Sequence, residues 1–143
     1  MTVKSVAVIL ERELASTIKE WLRQVKLVPD LTNIPLSDSD RTGHLRKLFG
    51  DLLYRLQLPT DAEPRVPIAA SEHGGLRFAQ GYSVPMLVEE SRIFQVTTFG
   101  TLHLHQRELD QNQLLLDVII IADEADRQLT ETVRSFMTAQ AVS

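Results

Sequence analysis

The stretch LLLDVIIIADEADRQLTETVRSF, residues 114–136, decides the fold class. Its apolar residues recur every three or four positions for about six turns, which is the spacing of one face of an α-helix. A strand of this length would be far longer than usual. The positions are Leu115, Val118, Ile119, Ala122, Ala125, Leu129, Val133 and Phe136. The sequence therefore predicts a long helix from about Asp110 to Ala139.

The same periodicity predicts further helices upstream. One runs from about Val3 to Lys26, and another runs from about Asp38 to Gln57, with Ser37 and Ser39 as candidate N-caps. A third covers Ile68 to Gln80 and contains two adjacent glycines. Since each glycine costs a helix about 1 kcal/mol relative to alanine, we expect close packing or an irregular turn there.

A fourth helix is predicted from about Val84 to Gln106, after Gly81 as a left-handed helix stop and Ser83-x-Pro85 as a helix start. Part of this segment, residues 93–105, is rich in β-branched and aromatic residues and partly alternates. A strand or hairpin around Gly100 is the alternative. The helices together predict an all-α fold, an antiparallel bundle of four to five helices forming one domain over residues 1–143.

Composition excludes several classes of protein. The net charge is −4 and no face carries a run of basic residues, so we expect no nucleic-acid partner. The longest apolar run, residues 114–122, contains Asp117 and is too short to cross a bilayer, so no membrane segment is predicted. The absence of cysteine fits a cytoplasmic location and removes thiolate chemistry.

Catalytic and metal motifs give little signal. His103 and His105 form an H-x-H pair, but on a helix they point in different directions and cannot chelate one ion. Glu89 and Glu90 likewise diverge by about 100° and form no facing acid–base pair. We therefore predict no enzyme, no cofactor and no metal site. Two alternatives remain open: a small-molecule or metal-binding protein using His73, His103 and His105, and an acid–base site around His73 and Glu90.

The least generic segment is EHGGLRFAQGYSVPMLVEESR, residues 72–92. On a helix His73 and Arg77 lie four residues apart and share a face, and Glu89 and Arg92 lie three apart on the next helix. A return of the chain at the GYS corner would bring Arg77 to Glu89 or Glu90 as a bidentate ion pair. This cluster fixes the angle between two helices, or it binds an anionic ligand or shifts when the domain is strained; the third alternative is that it is plain solvated surface.

This segment resembles the pattern H-G-x-x-R-x-x-Q-G-(Y/F)-S-(three or four residues)-L-V-x-E-x-R of the RsbRD-type N-terminal helical domain. That domain begins RsbT co-antagonist proteins of the stressosome and precedes the kinase core of some bacterial sensor histidine kinases. Trp21 and the helix around residues 44–56 also resemble the family. The matching positions are His73, Gly74, Arg77, Gln80, Gly81, Tyr82, Ser83, Leu87, Val88, Glu90 and Arg92.

The resemblance implies a non-enzymatic sensory or regulatory domain in bacterial signal transduction. Such a domain would act by helix packing and self-association as a homodimer. It would pass its signal to a fused output domain or a separate signalling protein. The residues expected to carry this role, structurally or in signalling, are His73, Gly74, Arg77, Gly81, Tyr82, Glu90 and Arg92.

Overall fold

The computed structural model describes residues 2–143 and confirms the all-α class. Within that range the only β-type pairing is an isolated bridge between Lys4 and Leu109. A 3₁₀ turn, Gln106–Glu108, precedes the last helix. The helices are α1 (Val6–Arg12), α2 (Leu14–Val25), α3 (Pro29–Thr32), α4 (Asp38–Arg41), α5 (Leu45–Gln57), α6 (Ile68–Ala79), α7 (Val84–Leu104) and α8 (Gln111–Ala141).

Helix α8 is the centre of the bundle and packs against α5, α6 and α7. Helix α2 packs against α7, while α1 contacts both α5 and α7. The buried apolar side chains form one core cluster to which most of the helices contribute. Within the described part of the chain, no helix is both long and apolar enough to cross a membrane.

Helix α7 settles the choice between helix and strand for residues 93–105 in favour of the helix. The Thr97 and Thr98 hydroxyls donate to the carbonyl oxygens of Ile93 and Phe94, one turn earlier, at 2.6 and 2.7 Å. These bonds satisfy the polar groups of β-branched residues inside a buried helix. The strand alternative is therefore wrong.

The first predicted helix is wrong in one respect, because the chain breaks at Glu13 into α1 and α2. The Ser16 and Thr17 hydroxyls both donate to the Glu13 carbonyl, at 3.0 and 2.8 Å. Such side-chain bonds to the preceding turn bend helices. Thr17 also hydrogen-bonds Thr101 of α7 at 2.7 Å, which fixes the bend against the core.

The predicted helix over residues 38–57 is also interrupted. Ser37 caps α4, because its hydroxyl accepts from the Asp40 amide at 3.1 Å. The helix then stops after Arg41, and the Leu45 amide donates to the Thr42 carbonyl instead of continuing the ladder. This interruption frees the carbonyls of Asp40 and Arg41 for other donors.

Helix α8 has the predicted length but buries a different face over its first turns. Leu115 and Ile119 are 72% and 57% exposed, although they belong to the predicted apolar stripe. The buried positions include polar side chains with internal partners: Gln128 donates to the Leu48 carbonyl at 3.0 Å, and Thr132 donates to the Ala70 carbonyl at 3.1 Å. An apolar strip is thereby left on the outside of α8.

Candidate functional site

Arg77 on α6 is the centre of a buried polar cluster and is only 1% exposed. Its Nε and Nη2 donate to the two carboxylate oxygens of Glu90 on α7, at 3.1 and 3.0 Å. Its Nη1 donates to the Gln80 side chain at 2.7 Å. Nη2 also donates to the Arg41 carbonyl at 2.7 Å, and Nη1 makes a long bond of 3.4 Å to the Asp40 carbonyl. One guanidinium therefore connects α6, α7 and the break between α4 and α5.

Glu90 is the single acidic member of this cluster, and its acceptor positions are filled. Oε1 accepts from Arg77 and His73, and Oε2 accepts from Arg77 and Tyr82. Burial raises the pKa of Glu90, but the His73 hydrogen bond and the Arg77 charge outweigh burial and hold the pKa below its ordinary value. The choice between Glu89 and Glu90 is thus decided, and the bidentate geometry is the predicted one.

His73 extends the cluster towards α5. Its Nε2 lies 3.3 Å from Glu90 Oε1, and its Nδ1 lies 3.4 Å from Nδ1 of His44. Because a carboxylate can only accept, a neutral His73 donates to Glu90 and accepts from His44. Burial and the neighbouring His73 lower the pKa of His44. The pair therefore favours uncharged imidazole at His44.

Tyr82 completes the cluster at the α6–α7 corner. Its hydroxyl donates to Glu90 at 2.9 Å, and its ring centroid lies 4.6 Å from the Arg77 guanidinium carbon. Burial and the adjacent Glu90 charge raise the pKa of Tyr82 above its ordinary value. The preceding Gly81 has φ +89°, the left-handed conformation predicted for it, and so turns the chain into position.

Gly74 explains why α6 carries a glycine beside His73. A Cβ atom at this position would lie 2.1 Å from the Thr132 carbonyl oxygen of α8. Gly75, by contrast, would place its Cβ at an ordinary 3.8 Å from Ser135. Of the two explanations left open by the sequence, close packing is the correct one, and it concerns Gly74 alone.

The remaining candidate residues lie outside the cluster. Arg92 pairs with Glu89 at 2.6 Å on the surface of α7. His103 is exposed, and His105 contacts Glu108 and Glu13 at 3.1 and 3.4 Å. The three histidines of the metal alternative are therefore divided between separate surroundings. In residues 2–143 no group of three or more histidine, aspartate or glutamate side chains is arranged to hold a metal ion.

Sequence patterns did not place two buried residues, Arg41 and Trp21, beside the cluster. Arg41 is 5% exposed and donates to the carbonyls of Leu31 and Ile34, at 3.1 and 2.6 Å. Trp21 is 2% exposed. In the sequence, Arg41 resembles any charged residue of a capped turn, and Trp21 is one more apolar position of a helical stripe. Only the tertiary fold brings them together.

Comparison with protein-family models, with curated proteins and with solved structures gives no significant match.

Proposed function

We propose that this chain is a non-enzymatic regulatory input domain of bacterial signal transduction, as its resemblance to the RsbRD-type domain implies. The observation that carries the proposal is the hydrogen bonding of the buried Glu90 carboxylate. All four of its hydrogen bonds come from residues of the motif, namely His73, Arg77 and Tyr82. A carboxylate with filled acceptor positions is suited to holding segments together and poorly suited to proton transfer.

The cluster is well placed to act on α8. Gly74 lies between two residues of the cluster, His73 and Arg77, and brings α6 into backbone contact with α8 at Thr132. We expect a displacement of α6 towards α8 to be passed on at this contact, because the two backbones cannot approach each other further there. Helix α8 spans 31 residues and offers a rigid path from this contact to its last turn.

The exposed apolar strip on α8 supports self-association. Leu115, Leu116 and Ile119 are 72%, 42% and 57% exposed and lie on adjacent turns. Exposed apolar residues that cluster in this way are typical of helix–helix interfaces. We propose that two copies pair through this strip of α8.

The experiment uses the absence of cysteine in the chain. A spin label on Gln140→Cys, an exposed position in the last turns of α8, gives a pulsed-EPR distance only when two copies associate. We expect a defined distance that Leu115→Glu with Ile119→Glu abolishes. Val88→Glu with Val96→Glu is the matched control, because both valines are 46% exposed on α7.

Transmission is tested in the same labelled protein by Arg77→Lys, which keeps the charge but loses the bidentate geometry. The distance distribution should shift while the dimer persists. A monomer at every concentration would refute the paired arrangement. An unchanged distribution in a folded Arg77→Lys protein would refute signalling through α8.

A further inference from the structure

The break between α4 and α5 is joined to α6 by two polar links. The first is the Arg77 guanidinium, which donates to the carbonyls of Asp40 and Arg41. The second is the contact of 3.4 Å between Nδ1 of His73 and Nδ1 of His44, the residue directly before α5. A guanidinium keeps its charge, whereas an imidazole gains a proton within the range of about pH 5 to 8. The second link can therefore respond to pH.

The gap between the two rings has room for one hydrogen atom. Nε2 of His73 faces Glu90 Oε1 at 3.3 Å and carries a hydrogen, because a carboxylate can only accept. Nε2 of His44 lies 3.9 Å from Glu72 Oε2. A pair with a hydrogen on each outer nitrogen and one in the gap carries one positive charge and keeps its hydrogen bond. A further proton would place two N–H donors against each other in the gap, and the bond is lost.

The surroundings provide little negative charge to stabilise a second proton on the pair. Glu90 is already paired with Arg77 at 3.0 Å. Glu72 is 53% exposed and is shared with Lys47 at 3.9 Å. The side chains of α8 that line the cavity beside His73 are uncharged. The charged side chains around the pair are Arg41, Lys47, Glu72, Arg77 and Glu90. Two charged rings in contact therefore repel each other without a free carboxylate to hold them together.

We propose that the His44–His73 pair is an acid-operated release of the α4–α5 break from α6. The link holds while the pair carries no more than one positive charge, and it opens when both rings are charged. Burial, followed by the charge of His73, lowers the pKa of His44 from its ordinary 6.5, so opening requires a pH below that value. The His44 side chain is 15% exposed, which gives the proton access from solvent. The opening does not depend on the proposed function, but its use as the signal of the domain rests on that function.

A spin label on Gly43→Cys reports on the mobility of the break, because the chain has no cysteine of its own and Gly43 is exposed. A Cβ atom there meets its nearest neighbour at an ordinary 3.5 Å. We expect the continuous-wave EPR spectrum to narrow reversibly between pH 8 and pH 5, with a midpoint below 6.5. A label on Gly50→Cys, an exposed position within α5, is the matched control and should keep its line shape.

Variants assign the change to the pair. His44→Asn removes the titrating ring but keeps an N–H donor near the position of Nδ1, so the label on residue 43 should give the same spectrum at pH 8 and pH 5. His103→Asn, an exposed histidine on α7, should leave the midpoint unchanged. A lowered histidine pKa gives stability that is present above 6.5 and is lost as the pH falls. The urea midpoint should therefore fall further from pH 8 to pH 5 in the unaltered protein than in His44→Asn.

Nitrogen-15 spectra of the histidine rings show, without any substitution, whether both rings are charged when the EPR spectrum narrows. Narrowing while His44 is still neutral, or narrowing in a folded His44→Asn protein, would overturn the proposal. Equal narrowing at residue 50, or no narrowing down to pH 5, would overturn it as well. This measurement reports on a single copy of the chain, and a protein that fails it can still show the distance between two copies and its Arg77→Lys shift. The two proposals can therefore fail separately.

Discussion

Replacing Arg77 by alanine should destabilise the protein by about 3–5 kcal/mol. Glu90 is 4% exposed, so removal of its partner leaves a carboxylate without a counter-charge in the core, and breaking a buried ion pair in this way typically costs that much. The carbonyl of Arg41 and the side chain of Gln80 also lose donors. The cost is a large part of the roughly 5–15 kcal/mol that stabilises a domain.

Urea unfolding followed by circular dichroism measures this change, and its pH dependence identifies the cause. In the unaltered protein the pKa of Glu90 is depressed, so the stability it contributes is present above its ordinary pKa of 4.5 and is lost as the pH falls. Without Arg77, burial should raise the pKa of Glu90 above 4.5, and that variant loses stability as the pH rises through this range. The difference in the free energy of unfolding between the unaltered protein and Arg77→Ala should therefore be smaller at pH 4 than at pH 7.

Two further variants make the result decisive. Arg92→Ala removes the exposed partner of Glu89 on the same helix and should change stability by less than about 0.5 kcal/mol. Arg77→Met with Glu90→Met removes both charges and should cost less than Arg77→Ala alone. A loss below about 1 kcal/mol for Arg77→Ala, or a loss equal at pH 4 and pH 7, would refute the argument from an unpaired carboxylate.

Other residues give predictions of their own. Gly74→Ala should destabilise by about 1–3 kcal/mol, because its Cβ would overlap the Thr132 carbonyl oxygen, whereas Gly75→Ala should be neutral or stabilise by up to about 1 kcal/mol. Thermal melts of the two variants compare them directly, and equal melting temperatures would contradict the close contact. Tyr82→Phe removes one of the four hydrogen bonds to Glu90 and should cost about 1.5–3 kcal/mol in urea unfolding. A neutral Tyr82→Phe would mean that this bond contributes nothing to stability.

The sequence predicted most of the helices because their apolar residues recur at helical spacing. It was least decisive where a helix is buried on more than one side, although the helix predicted there is confirmed. Helix α7 contacts both α2 and α8, so its buried residues do not form a single stripe, and residues 93–105 had a partly strand-like pattern. On α8 the apolar stripe correctly predicted a helix but not its buried face. Internal hydrogen bonds place Gln128 and Thr132 towards the core, while Leu115 faces outward.

The part of the candidate site that comes from neighbouring stretches of sequence was predictable, and the part that comes from a distant stretch was not. Helical spacing placed His73 and Arg77 on one face, and the corner at Gly81 brought Glu90 within reach. The contact from Arg77 to the Arg41 carbonyl spans 36 positions along the chain. No local pattern encodes such a contact, because it joins residues that lie far apart in the sequence.

The break between α4 and α5 has a consequence for the order in which the chain assembles. Arg77 and Glu90 are separated by 13 positions, whereas Arg77 and Arg41 are separated by 36, so closing the longer loop costs about 0.9 kcal/mol more in chain entropy. We expect the shorter loop to close first during refolding. The carbonyls at residues 40 and 41 would then acquire their donor only after the Arg77–Glu90 pair has formed, so this break becomes ordered later than the corner between α6 and α7.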